Sequence, residues 1–151
     1  METYVEMKNR HQAEFNNFPV AFAFTEEDIK EGLKKLGLAE NDKDKIVSIG
    51  FGGFVKIEDK QAYNDMNNNH YKELKEAIKN DITGEKFIQG MFEEELGNHE
   101  YGYTGELRDT LMACGLTIKD INSNTNIQRG LELALQKYHQ TSNDREEEEE
   151  I

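Results

Sequence analysis

The segment His99-Glu100-Tyr101-Gly102-Tyr103-Thr104-Gly105-Glu106 gathers an imidazole, two phenols and two carboxylates within eight residues. Loops carried on rigid elements are where binding groups concentrate, so this stretch is the first candidate site. Glu95 precedes His99 by one helical turn, which lets a carboxylate meet the imidazole across an i, i+4 pair. The same pair has a structural use, because a protonated His at a helix C-terminus is favoured by the dipole and by Glu95. Thr104 also reads as an N-cap, and Tyr101 and Tyr103 as rings closing a core edge.

Other groups fail closer tests. Gly50-Phe51-Gly52-Gly53 lacks both G-x-G-x-x-G and a following Lys-Ser or Lys-Thr, and a strand pattern follows where phosphate needs a helix N-terminus. It reads as a hairpin turn with Phe51 at its tip as a contact residue. Asp65, Asn67, Asn69 and Glu76 fit four positions of a calcium loop, but His70 stands where the sharp turn requires glycine. Apolar residues keep helical period through that segment, so it reads as an Asn-rich helix. The series Asp120, Asn122, Asn124, Asn126 places Leu131 where the last carboxylate belongs. His11, His70, His99 and His139 contain no H-x-x-x-H pair, which leaves no metal set in the sequence. Cys114 shares an apolar stripe with Leu107 and Leu111 beside Gly115, the wrong helix end for a thiolate. Ser48, Ser123 and Ser142 have no G-x-S-x-G setting. No catalytic residue, metal or cofactor is assigned.

The elements that must position these residues follow from periodicity. Tyr4, Met7, His11 and Phe15 recur at helical spacing up to Asn17-Phe18-Pro19. Phe18 to Phe24 alternates as a strand, with Phe18, Val20, Phe22 and Phe24 on its core face. Thr25 caps a helix striped by Ile29, Leu33 and Leu36 and stopped by Gly37. Strands near 46–50 and 53–57 flank the glycine turn. From Glu58 onward the period is 3.6, with the longest helix expected within 58–80, further helices around Phe92, Leu111 and Leu131, and a capped start at Thr117 and Asp120. The order α-β-α-β-β followed by helices predicts an α+β fold, a three-stranded antiparallel sheet with a helical C-terminal half packed on its apolar face. Its expected core contains Phe22, Phe24, Leu33, Ile49, Val55, Leu74, Phe92, Leu111 and Leu131.

Composition narrows the function classes. In 151 residues, 31 Asp and Glu against 18 Lys and Arg give a net charge of −13, which opposes binding to a nucleic-acid backbone. No apolar run approaches the roughly 20 residues of a membrane helix, and the polar N-terminus lacks the apolar core of a secretory signal. One cysteine allows no intramolecular disulfide, so a reducing cytoplasmic setting is expected. With one proline and no linker, residues 1–140 read as a single domain. The remaining TSNDREEEEEI is expected to be a disordered acidic tail, or a frayed extension of the preceding helix.

Asn16-Asn17-Phe18-Pro19 with Phe22-Ala23-Phe24, then Ser48-Ile49-Gly50 to Gly52-Gly53-Phe54, form the first half of a family pattern. Asn98-His99-Glu100-Tyr101, Tyr103-Thr104-Gly105 and Gly115-Leu116-Thr117 complete it. The combination resembles an uncharacterised family of small proteins carried by phages, plasmids and conjugative elements of Gram-positive bacteria, over roughly residues 3–138. That resemblance implies an accessory protein of a mobile element acting in the bacterial cytoplasm, with no catalytic residues to carry over. The reading that results is a non-enzymatic modulator or inhibitor of host or defence machinery, binding a protein with a basic surface through His99, Glu100, Tyr101, Tyr103, Glu106 and Phe51. The alternative is a small ligand-binding protein or enzyme using the loop from His99 to Thr104.

Overall fold

The computed structural model describes residues 1–99, 101 and 106–149. Its helices are α1 (Tyr4–Asn17), α2 (Glu26–Lys35), α3 (Lys60–Asn80), α4 (Phe87–Asn98), α5 (Arg108–Ala113), α6 (Ile118–Ser123) and α7 (Thr125–Glu149). Its strands are β1 (Ala21–Phe22), β2 (Ile46–Gly50) and β3 (Gly53–Lys56), paired antiparallel in the order β1-β3-β2. The architecture is therefore the expected α+β, with one small three-stranded sheet.

The punctuation residues act as their chemistry predicts. Thr25 Oγ1 accepts from Asp28 N at 3.1 Å to start α2, and Gly37, at φ 77°, follows its last turn. Thr117 and Asp120 form a reciprocal capping box at the start of α6. Asp65, Asn67 and Asn69 lie in the unbroken run of α3, where successive ligands point around the helix instead of into a loop. The longest helix is α7, with 25 residues against 21 in α3, since the polar residues after Tyr138 prolong it. The acidic run to Glu149 is thus helical here, with like charges gathered at the end the helix dipole disfavours.

Two compact units make up the chain: Met1–Arg10 with the residues from Glu73 onward, and His11–Lys72. Their boundary falls inside α1 and α3, where no composition change or linker marks it.

Within His11–Lys72, α2 covers one face of the sheet through Ala21, Leu36 and Phe54. Gly32 permits this approach, because a methyl there would collide with the Phe54 ring and stand 3.1 Å from Ala21 Cβ. Here the expected strand from 18 to 24 is corrected: ladder pairing is confined to Ala21 and Phe22, and the small residue Ala21 faces α2. Phe22 and Phe24 are not core; they are 50 % and 80 % exposed. Of the four residues expected on the core face, Val20 is buried and Phe18 is half-buried with its ring edge-on to Tyr63, whereas Phe22 and Phe24 turn outward, because Ala21 and the Phe54 ring already fill the close approach to α2. Ile49 and Leu74 are half-buried, whereas Leu33, Val55, Phe92, Leu111 and Leu131 are buried as expected.

In the other unit, α4 and α7 pack around Ile88, Met91, Phe92, Ile127 and Leu131. Asp81, itself buried, accepts backbone N–H bonds from Gly84 at 3.1 Å, Lys86 at 3.2 Å and Ile88 at 3.0 Å, satisfying donors that open α4. Gly130 on α7 lies against the Ile88 side chain, and a methyl there would stand 2.7 Å from the Gly84 carbonyl oxygen. Gly90 on α4 faces open space. Gly130→Ala should therefore destabilise the protein by about 1–3 kcal/mol through overpacking, while Gly90→Ala should stabilise it by about 0.5–1 kcal/mol through helix propensity. Urea denaturation of both variants checks the pair, and equal effects would contradict the packing described.

Candidate functional site

His99 caps the C-terminus of α4, and its Nε2 lies 3.1 Å from Glu95 Oε2, forming the i, i+4 pair that the spacing suggested. What the spacing did not disclose is the company Glu95 keeps. Its carboxylate is almost wholly buried, and Oε1 accepts from Tyr4 Oη at 2.5 Å and from Lys8 Nζ at 2.7 Å, both on α1. Burial works against the ionised form, but the Lys8 and Tyr4 hydrogen bonds and the Lys8 charge outweigh it and hold Glu95 below the usual carboxylate range. The Tyr4 phenol is pushed upward by burial first and by the Glu95 carboxylate second. Cys114, buried nearby, is pushed up to about 12 by burial and then by the Glu95 charge, so it is a neutral thiol at physiological pH. Chemically this is a satisfied ionic anchor joining α1 to α4.

The other loop candidates are placed separately. Tyr101 is half-buried, with its ring edge-on to Tyr138 at 5.4 Å and to His139 at 5.8 Å, packed against the core. Glu106 is exposed and lines a groove of about 560 Å³ with Leu107, Arg108, Met112 and Ile118. Glu100 and Tyr103 lie outside the described residues. Two histidines far apart in sequence come together in His11–Lys72: the His11 and His70 rings stack at 3.9 Å and 14°, with His70 Nε2 2.8 Å from Glu14 Oε2. Among the described residues, no group of three or more His, Cys, Asp or Glu side chains is arranged to hold a metal ion, and no helix is long and apolar enough to cross a membrane.

Phe51 belongs to a different cluster. The β2–β3 loop consists of Phe51 and Gly52, at φ 52° and 78°, the positive values that tight hairpin turns of the primed type demand. Asn and Gly suit the first of these positions; a bulky ring there is a conformational outlier, costing about 1 kcal/mol or more. Phe51 is the only non-glycine residue at positive φ among the described residues, and it is 98 % exposed. Phe24 lies against Gly52, where a methyl would meet its Cε1 at 2.7 Å. Phe22 and Ile49 similarly close over Gly53, at 3.0 and 2.9 Å from such a methyl. Glycine at both positions lets these apolar side chains settle onto bare backbone. Phe22 and Phe24 thus lie exposed against the glycines at the hairpin end of the sheet, beside the turn that carries Phe51, and these three rings are termed the aromatic platform. Sequence reasoning selected Phe51 and missed its two neighbours by placing them in the core. Ala21 and Ala23 alternating with Phe22 and Phe24, beside a helix carrying Gly32, held the signal.

Fold and site together define a small α+β protein with an exposed aromatic sheet face and a buried ionic anchor. The chain belongs to the DUF7659 family, a family of unknown function, whose model matches residues 3–137. That span is nearly the one over which the sequence motifs show their resemblance to an uncharacterised family. Searches of curated proteins and of solved structures found no match.

The ionisation directions fix the pH profile of stability. Glu95 has a depressed folded pKa, so its contribution is present above the unfolded value of about 4.3 and is lost as pH falls through the folded one. Tyr4 and Cys114 have raised folded pKa values, so theirs is present below unfolded values of about 10 and about 8.5 and is lost as pH rises further. Urea unfolding from acid to alkaline pH should show Glu95→Gln flattening the acid limb and Cys114→Ala flattening the alkaline limb. Iodoacetamide should label Cys114 only on unfolding; rapid labelling of the folded protein at neutral pH would refute the neutral, buried thiol.

Proposed function

We propose that this protein is a non-enzymatic protein-binding module, and that the platform of Phe22, Phe24 and Phe51 is its contact surface. The observation that carries the reading is Phe51: a phenyl ring fully in water on a backbone conformation that disfavours it. Neither feature serves folding, and a residue that breaks two local rules with no return in packing is accounted for by function. Exposed aromatic side chains are also the residues that supply most affinity in protein interfaces. In this reading residues 1–140 act as one module with an acidic tail, in the cytoplasm, and the partner presents a basic surface suited to a chain of net charge −13. The resemblance to proteins of mobile elements supports an accessory role, modulating or inhibiting host or defence machinery.

The reading of a small enzyme or ligand-binding protein built on His99 draws on its pair with Glu95. Burial of the Glu95 charge already accounts for that pair, which is why the platform is favoured.

Phe51→Asn separates folding from binding. It should raise stability by up to about 1 kcal/mol by relieving the backbone, while removing partner binding. A photo-reactive phenylalanine at position 51 or 24, introduced in the native host, should cross-link one common protein, and the same group at exposed Lys79 should not. A destabilised Phe51→Asn variant, or cross-linking that does not differ between these positions, would refute the assignment.

A further inference from the structure

We infer that the segment received by the platform is cationic and specifically arginine-bearing, stacking guanidinium groups on Phe24 and Phe51 and pairing them with Glu26 and Glu27. This rests on the proposed role of the platform and names the chemistry of its occupant. Three observations carry it.

The first is charge placement. The aromatic run passes directly from Phe24 into Thr25-Glu26-Glu27-Asp28, three acids without a cation, at the start of α2. Asp28 is engaged locally, its Oδ2 accepting from Phe24 N at 3.1 Å and its backbone N–H donating to Thr25 Oγ1 at 3.1 Å. Glu26 has its side chain 80 % exposed and meets Lys43 at 3.3 Å, a surface pair of the kind a better donor displaces. Carboxylates therefore stand within a few residues of an exposed phenyl face.

The second is geometry at the rings. Each of Phe24 and Phe51 offers an open aromatic face, and a cation seated on such a face is attracted by its quadrupole. Arginine satisfies both demands at once, because its planar guanidinium stacks on a ring while its N–H edge forks to a carboxylate. Lysine carries the charge without the plane or the fork.

The third is area. The exposed fractions of the three phenylalanines amount to roughly 350–550 Å² of aromatic surface, below the roughly 800 Å² per partner of a stable interface. A second copy of this chain would need more surface than the platform provides and would set two chains of charge −13 against each other. A cationic partner adds attraction around the same small apolar centre.

The test uses the full chain, isotope-labelled for backbone resonances, and three short synthetic peptides of identical Leu and Gly content with Arg, Lys or Glu at the charged positions. The Arg peptide should move resonances of Phe22–Asp28 and Ile49–Gly53. The Lys peptide should bind roughly threefold more weakly, and the Glu peptide should not bind. Phe24→Ser with Phe51→Asn should weaken the Arg peptide about tenfold, and Glu26→Gln with Glu27→Gln should bring Arg and Lys peptides closer together. Equal binding of Arg and Lys peptides, or shifts located elsewhere, overturns the inference. Binding of the Glu peptide at the platform overturns it while leaving the protein-binding role standing, as does silence of all three peptides alongside a cross-link from position 51. Silence together with loss of that cross-link defeats both. A dimer in sedimentation that Phe51→Asn abolishes assigns the platform to a second copy, and single-stranded DNA moving the same resonances assigns it to nucleic acid; each overturns the inference.

Discussion

The close seat of α2 on the sheet determines what the unit His11–Lys72 shows to solvent. Where helix and strand approach through Gly32 and Ala21, there is room for the Phe54 ring and for nothing larger at the neighbouring positions. A strand has two faces and a period of two, so filling the α2 face with Ala21 and Phe54 commits Phe22 to the other. The glycines of the hairpin then have a second consequence beyond the turn itself. Bare backbone at Gly52 and Gly53 gives Phe24, Phe22 and Ile49 a surface to lie on, so part of each side chain finds contact on a sheet of three short strands.

The other unit uses its chemically capable side chains inwardly. Glu95 is a charge removed from water, and such a charge is tolerated only when partners meet it from several directions. Tyr4 and Lys8 approach from α1 and His99 from the end of α4, so groups that would suggest acid–base catalysis are consumed in holding one carboxylate. Cys114 obeys the same logic, since a thiol buried beside that carboxylate is kept protonated and unreactive. The contrast between the units is one of direction: ionisable groups face a core in one, and apolar rings face water in the other.

Much of the fold was legible because its signals are local. Thr25, Gly37, Thr117 with Asp120, and the Gly50–Gly53 turn each act within a few residues of themselves, and each operates as its chemistry dictates. What was not legible depends on distance. The outward turn of Phe22 is decided by Gly32 and Phe54, so the alternation at Phe18–Phe24 places Val20 inside but cannot disclose that Phe22 and Phe24 leave the core. Glu95 meets Tyr4 and Lys8 across about ninety positions of sequence, and His11 meets His70 across 59, spacings that no motif encodes. Phe51 was visible as a candidate because a hairpin tip has no interior in which to hide a ring.

Charge and aromatic exposure are complementary properties of this molecule. An exposed apolar patch on a neutral protein is a liability, because copies meet through it. With 31 acidic against 18 basic residues, encounters between copies are repulsive over the screening length of about 8 Å at physiological salt, while cationic partners are drawn in. If Phe22, Phe24 and Phe51 are the contact surface proposed, the acidic composition would restrict which surfaces reach them, and short-range contact with the rings would restrict which of those remain. Salt acts on the two filters differently: it weakens the long-range selection and leaves the ring contacts nearly intact. Under the proposed reading, selectivity for cationic partners would be carried by the carboxylates and residence on the platform by the rings, a division that would place discrimination and affinity on separate residues.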